Sequence, residues 1–365
     1  MTVVSVIMLS FAILGAIDRL IGSKIGIGKE FEKGIMLLGQ LVLAMVGMIV
    51  LAPALAKLLS PFFGFVYQTL KIEPSIVPAL LFANDMGGAS LAKEVAQDEG
   101  LGMFNALIVA SMMGVTISFT IPFSLGCLKK EKHGALIFGL LCGVVTIPIG
   151  CFFGGLMCRI PVLPLLLDLL PLILFSTLTA IGLWLIPNVC IKIFTVVGYF
   201  IKVLIAFGFV LGMIDLLLGV KVIEGIADVS VAVDICFRAA VVLSGAFPLL
   251  FLLSKLLSKP LGALGDRLKI GPKATLGFLS TLASAVPTFE MMNEMNEKGI
   301  VLNAAFAVSA MSVLADHLAF TLAFDPAYLF PMMAAKMISG VSALLLAGFL
   351  FQRGRQKTVD KRSEM

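Results

Sequence analysis

The chain contains an internal duplication, in which residues 15–113 recur at residues 212–311 in the same order. Residues 15–22 return as residues 212–219, and the later matches keep a constant offset of 198 residues. A duplication of this length indicates that the fold is built from two related halves. Whatever elements the first half forms, we expect the second half to form them again.

The amino-acid composition indicates which class of protein carries this duplication. Hydrophobic residues make up 60% of the chain and charged residues only 13%, whereas a soluble protein has about 25% charged residues. Nine apolar runs are long enough to cross a bilayer core of roughly 30 Å as helices. They lie near residues 2–18, 34–56, 103–128, 134–157, 162–187, 191–218, 231–254, 300–324 and 328–351.

These runs predict an all-α polytopic membrane protein with about nine transmembrane helices. The first run ends at Asp18 and Arg19 and lacks both a basic leader and a small-residue cleavage site. We therefore interpret it as a retained helix and not as a signal peptide. In such an apolar chain, a duplication is typical of transporters with two pseudo-symmetric halves.

The basic residues predict the orientation in the membrane. They concentrate in three loops and a tail, at residues 19–33, 129–133, 255–273 and 353–365. The net charge of +5 therefore reflects topology and does not indicate nucleic-acid binding. The positive-inside rule places all four segments in the cytoplasm, with the N-terminus outside and the C-terminus inside.

With this orientation the two halves are inverted relative to each other. The predicted organisation has four parts, which are a first inverted repeat at 1–158, a linking transmembrane helix at 159–190, a second inverted repeat at 191–352 and a basic cytoplasmic tail at 353–365.

Two segments, residues 74–102 and 272–299, must leave and re-enter on one side of the membrane. About 28 residues are too few for two full crossings but suffice for a re-entrant helical hairpin. We predict the hairpin tips at Asn84–Gly88 and at residues 283–287, where Gly and Pro allow the chain to turn. The alternative is a kinked helix in each segment, which gives eleven transmembrane helices and parallel repeats.

Charged residues within a bilayer are costly and mark candidate sites. Asn84 and Asp85 lie at the first hairpin tip, where the ends of a broken helix expose backbone groups to a polar ligand. Asp316 and His317 lie deep in a predicted span, where the first half has uncharged residues. This pair is predicted to bind a substrate ammonium, or to take up and release a proton as the site alternates. The alternative is that the two groups satisfy each other or a neighbouring helix structurally.

Thr288 and Glu290 follow the second predicted tip. We include both in the predicted substrate site, although Glu290 equally fits the start of a solvated hairpin arm. Gly139 and Gly143, and likewise Gly150 and Gly154, form two close-packing motifs in one helix. These motifs predict contact with another helix or with a second protomer of a homo-oligomer.

The sequence lacks the motifs of the common enzymes. It has no complete phosphate-binding loop, no zinc-protease motif and no nucleophile elbow. The six cysteines show no metal-ligand spacing, and there are only two histidines. We therefore expect no enzymatic activity, no cofactor and no metal ion.

Residues 78–88 (PALLFANDMGG), followed by Lys93 and Glu94, resemble the bacterial ethanolamine permeases of the ethanolamine-utilisation system (EutH type). The resemblance covers nearly the whole chain. It implies uptake of ethanolamine across the inner membrane into the cytoplasm, where a cobalamin-dependent lyase would use it.

The candidate residues fit such a substrate, because a carboxylate suits its ammonium group and amide or hydroxyl groups suit its hydroxyl. Two alternatives remain. One is an ion-coupled secondary transporter for another small polar solute, such as a nucleobase or an amino acid, and the other is a non-transporting membrane sensor.

Overall fold

The computed structural model describes the backbone of residues 3–363 and their side chains, except those of residues 258, 261, 264 and 354–363. Within this part of the chain the regular structure is entirely helical, which confirms the predicted all-α class. The predicted basic tail, residues 353–365, lies mostly outside the residues whose side chains the structure describes.

Eight helices in the described residues are long and apolar enough to cross a membrane, so the protein is a multi-pass membrane protein. They are Val3–Leu20, Ile27–Leu58, Glu99–Cys127, Lys130–Met157, Val162–Leu185, Pro187–Leu218, Val229–Leu257 and Pro326–Arg353. The last two continue beyond their apolar parts, as the helices Val229–Leu268 and Leu329–Ser363.

The predicted span at 300–324 accounts for the difference from nine. It is divided into two helices, Glu297–Ala310 and Asp316–Phe324. Between them Ser312 has a φ of 56°, a left-handed conformation that costs a non-glycine residue roughly 1–2 kcal/mol. We call residues 297–324 the broken helix.

Hydrogen bonds to another helix stabilise this break. The backbone N–H groups of Ser312 and Leu314 donate to the carbonyl oxygens of Thr281 and Leu282, both at 2.9 Å. Backbone groups that leave a helix inside a bilayer need such partners, because no water is available to them. The break is therefore built by tertiary contacts.

The first hairpin, at residues 74–102, contains the helices Ile76–Leu81 and Ala89–Val95 on either side of a turn at Asn84–Gly88. At its base the Glu73 carboxylate accepts hydrogen bonds from the backbone N–H groups of Gln97 at 2.9 Å and Asp98 at 3.1 Å. The segment therefore begins and ends at the same place, as a hairpin must.

The second hairpin, at residues 272–299, contains the helices Pro272–Ala283 and Ala285–Met291, with extended backbone at Ser284 between them. Its base is also closed, because Lys273 Nζ lies 3.2 Å from Glu294 Oε2. A single kinked crossing would separate these ends by about 30 Å. The inverted orientation of the two hairpins in the membrane stays a prediction.

Three basic loops lie at one face of the protein, which we call the basic face. Lys132 of loop 129–133 donates to the carbonyl oxygen of Asn293, at the base of the second hairpin, at 2.6 Å. A Cβ atom on Gly26, in loop 19–33, would lie 3.0 Å from the ring of Phe251, and Lys255 lies over that same ring. This shared face agrees with a common cytoplasmic location for the three loops.

The two glycine motifs of the helix Lys130–Met157 are filled by other helices of the same chain. Gly139 and Gly143 pack against the first part of the broken helix, whereas Gly150 and Gly154 pack against the last helix at Ala335. These contacts bring the last helix close to the broken helix, in the region where the candidate residues lie.

Candidate functional site

A cavity of about 760 Å³ penetrates the protein from the basic face. It is bounded by the helix Ile27–Leu58, the second hairpin and the broken helix. The exposed Lys33 lies toward the basic face, and the half-buried Asp85 and Asp316 lie at the inner end of the cavity. The structure therefore brings two of the sequence-predicted site residues into one cavity.

The turn of the first hairpin presents Asp85 to this cavity. Gly87 has a φ of 95°, which glycine adopts readily because it has no Cβ atom. The N–H groups of Met86 and Gly88 donate to the carbonyl oxygen of Ala83, at 3.1 and 2.9 Å. These bonds satisfy the turn and leave the Asp85 side chain half-buried at the tip.

Asn84 precedes Asp85 and is completely buried. Neither atom of its side-chain amide has a hydrogen-bond partner among the described residues. An unpaired buried amide costs roughly 1–3 kcal/mol, so this position requires an explanation beyond packing. Asn84 is not part of the cavity lining, but it lies directly beside a residue that is.

The break in the second half presents Asp316. This residue begins the helix Asp316–Phe324, and its carboxylate accepts a hydrogen bond from the Ser312 hydroxyl at 3.4 Å. A carboxylate at a helix N-terminus is stabilised by the exposed N–H groups and the helix dipole. Asp85 and Asp316 both line the cavity, so two carboxyl groups face the same space.

His317 lies behind Asp316 and contacts Lys336, a residue that our sequence reasoning missed. Lys336 Nζ lies 2.9 Å from His317 Nδ1 and donates to the carbonyl oxygen of Ser111 at 2.6 Å. Both side chains are buried. A signal for Lys336 was present, because it is the only charged residue in the apolar run 328–351.

The two remaining sequence-predicted residues lie outside the cavity lining. Thr288 is buried and donates to the carbonyl oxygen of Gly277 at 2.9 Å, and its hydroxyl also lies 2.9 Å from that of Thr281. It therefore connects the two arms of the second hairpin. Glu290 is exposed on the second arm.

Another buried carboxylate, Asp168, lies away from the cavity. It accepts a hydrogen bond at 3.1 Å from the Asn105 amide, which also donates to Ser75 of the first hairpin. In the described part of the chain, no group of three or more His, Cys, Asp or Glu side chains is placed to hold a metal ion.

Comparison with known proteins identifies the family. The family model described as "Ethanolamine utilisation protein, EutH" matches residues 1–350. The chain belongs to the EutH family. The resemblance carried by residues 78–88 is thereby confirmed, and it extends to the cavity and to both hairpins.

Relatives in the EutH family align along almost their entire length. The probable ethanolamine permease EutH of Listeria monocytogenes is 44% identical over 97% of this chain and 95% of its own length. Its namesakes from Salmonella typhimurium and Escherichia coli are 36% and 37% identical, over 99% and 95% of this chain and 98% and 95% of their own. No solved structure matches the chain.

Proposed function

We propose that this protein is a permease that carries ethanolamine across the inner membrane into the cytoplasm by alternating access. The observation that carries the proposal is the cavity, which ends at the carboxylates of Asp85 and Asp316. Relatives named as probable ethanolamine permeases support the choice of substrate. The family assignment also agrees with the expectation that the chain is not an enzyme.

The chemistry of the cavity suits this substrate. Ethanolamine carries a primary ammonium group, which like that of lysine is mainly protonated at neutral pH, and one hydroxyl group. An ammonium about 4 Å from a carboxylate is attracted by about 4 kcal/mol at an effective dielectric constant of about 20. The hydroxyls of Ser280 and Ser284 line the same cavity and are suitable partners for the substrate hydroxyl.

The direction of opening fits one state of a transport cycle. The cavity is open on the basic face, which the positive-inside rule assigns to the cytoplasm. On its inner side the first hairpin tip packs against Met48, the residue that a Cβ atom on Gly87 would meet. We assign this conformation to the inward-open state, and outward opening requires the first hairpin tip to move from Met48.

The test is uptake of labelled ethanolamine at about pH 5.5, where the neutral, membrane-permeant form is scarce. Cells that produce the protein should show saturable uptake, and the double variant Asp85→Asn with Asp316→Asn should lose it. The matched control is Glu94→Gln, because Glu94 is an exposed carboxylate on the first hairpin and should retain uptake. Unchanged uptake by the double variant would exclude the carboxylates as the substrate site.

A further inference from the structure

A buried polar cluster lies toward the side of the protein opposite the basic face. Asp168 and Asn105 are each the seventh residue of a membrane-spanning helix, Val162–Leu185 and Glu99–Cys127. Both helices begin at the end away from loop 129–133, so the two residues lie about 9 Å from that end at a rise of about 1.5 Å per residue. Neither residue lines the cavity.

The side chains of Asp168 and Asn105 contact each other, and each keeps one oxygen atom without a partner. The Asn105 amide nitrogen donates to Asp168 Oδ1 at 3.1 Å and to the Ser75 hydroxyl at 3.0 Å. Because a carboxylate only accepts, this contact fixes the orientation of the amide. Asp168 Oδ2 and Asn105 Oδ1 have no hydrogen-bond partner among the described residues, although Asp168 is only 3% exposed and Asn105 is 0% exposed.

The Asp168 carboxylate requires a counter-charge, because it is buried within a membrane span. Its hydrogen-bond donor is a neutral amide. The ion pairs in the described part of the chain involve other carboxylates, which are those of Glu30, Glu32, Asp228, Asp234 and Glu294. A second carboxylate lies close to the cluster, since Glu73 accepts a hydrogen bond from the N–H of Ser75 at 3.4 Å. The local charge therefore favours a cation.

We propose that Asp168 Oδ2 and Asn105 Oδ1 bind one Na⁺ ion, and that Ser75 is a positioning residue that orients the Asn105 amide. Oxygen atoms are the ligands of hard cations, and backbone carbonyl groups and water complete the shells of such ions. One positive charge balances Asp168, whereas a divalent ion would leave a positive charge uncompensated in a region of low dielectric constant. We expected no metal ion from the sequence, because cysteine and histidine spacing marks sites of the zinc type.

The first hairpin connects this sodium site to the cavity. Ser75 precedes the hairpin arm Ile76–Leu81, and that arm leads to the tip at Asn84–Gly88, where Asp85 lines the cavity. An ion that holds Asn105 against Ser75 favours one position of this arm. Two ligands that favour the same conformation increase each other's affinity, so sodium should promote substrate binding. This coupling rests on the proposed function, whereas the sodium site does not.

Thermal unfolding of the purified protein in detergent tests the site without ethanolamine. NaCl that replaces tetraethylammonium chloride at constant ionic strength should raise the melting temperature saturably, by about 2 °C or more at roughly tenfold the Kd. Asp168→Asn should abolish this rise. The control Glu99→Gln changes an exposed carboxylate on the helix that carries Asn105 and should retain it. Ser75→Ala should raise the half-maximal NaCl concentration by about tenfold, equivalent to about 1.4 kcal/mol.

The duplication supplies a matched control for the Asn105 amide. Asn303 is the counterpart of Asn105, is equally buried and also has an unpartnered Oδ1. Its nitrogen donates to the backbone carbonyl oxygens of Ala274 and Gly299 and not to a carboxylate. Asn105→Ala should therefore lose the sodium response, and Asn303→Ala should keep it. The same response in both variants would overturn the site. If Asn105→Ala does not fold, Asp168→Asn decides, because it preserves the size of the side chain.

The outcomes separate the sodium site from the proposed function. A wild-type melting temperature that does not respond to NaCl would overturn the site and identify Asp168 as a protonated, structural acid. If the response is present, replacement of external Na⁺ by K⁺ should lower wild-type ethanolamine uptake several-fold, and uptake that ignores Na⁺ would overturn the coupling alone. A sodium response in a protein without ethanolamine uptake would overturn the proposed function and support the site.

Discussion

Replacement of Gly87 by alanine should destabilise the protein through two separable effects. At a φ of 95°, an L-residue costs roughly 1–2 kcal/mol. The added Cβ atom would also collide with the side chain of Met48, which is completely buried, and overpacking of this kind costs typically about 1–3 kcal/mol. The expected total is about 2–5 kcal/mol.

Gly225→Ala is the matched control. Gly225 has a φ of 85°, and no atom lies within 4 Å of the position that a Cβ would take. It should therefore show the backbone cost alone, roughly 1–2 kcal/mol. The difference between the two variants isolates the contact of the first hairpin tip with Met48.

The assay is thermal unfolding of the purified protein in detergent. Gly87→Ala should melt below Gly225→Ala, and addition of Met48→Ala to Gly87→Ala should recover part of the loss, as expected for two residues in contact. Equal melting temperatures for the two alanine variants would refute the argument, because the hairpin tip would then have no close contact at Met48.

Two further predictions concern the second hairpin. Thr288→Val removes the hydroxyl that bonds to Gly277 and should destabilise the protein by about 1–3 kcal/mol without a change in the KM for uptake. The control Thr288→Ser keeps the hydroxyl and should retain stability. A changed KM at unchanged stability would instead place Thr288 in the substrate site. Lys132→Met removes the hydrogen bond to Asn293 and should accelerate amide hydrogen exchange at residues 291–295. The control Lys130→Met changes an exposed lysine of the same loop and should not accelerate it. Equal exchange rates in both variants would show that this hydrogen bond does not hold the base of the second hairpin.

The all-α class and the position of Asp85 follow from local sequence. Long apolar runs have few alternatives to membrane-spanning helices, because the bilayer requires the backbone to satisfy its own hydrogen bonds. Asn84–Gly88 ends in two glycines, which indicate a turn wherever they lie. The structure has its turn at these residues.

The break at residues 311–315 could not be predicted in the same way. This stretch contains neither Gly nor Pro, and its residues fit a continuous helix. The backbone bonds that hold it open go to Thr281 and Leu282, about thirty positions earlier in the chain. Such a break depends on the packed structure. A count of spans from the length of apolar runs therefore gives nine, one more than the eight long apolar helices in the described residues.

The contacts of the buried Lys336 could not be predicted from the sequence either. The sequence shows that Lys336 is isolated in an apolar run, but its contacts Ser111 and His317 come from two other helices. Only the folded arrangement shows that Lys336 contacts His317, the residue that follows Asp316 in the chain.

The hydrogen bonds that occur at equivalent positions of both halves hold helix ends and hairpins in place. Asp98 accepts a hydrogen bond from the N–H of Leu101, and Asn296, 198 positions later, accepts one from Gly299. The matched residue pair Asn105 and Asn303 likewise connects each half to the first arm of its hairpin, at Ser75 and Ala274. The two predicted repeats therefore share contacts that position their hairpins.

The two halves differ at the break that precedes Asp316 and at Asp316 itself, whose carboxylate lines the cavity. At Gly114 the first half remains helical and packs against the Phe82 carbonyl, whereas the matching Ser312 breaks the second helix. The first half has Ser118, which bonds to its own helix, at the position of Asp316. Equivalent positions of the duplication therefore carry different side chains, which are a hydroxyl satisfied by its own helix in the first half and a carboxylate that lines the cavity in the second.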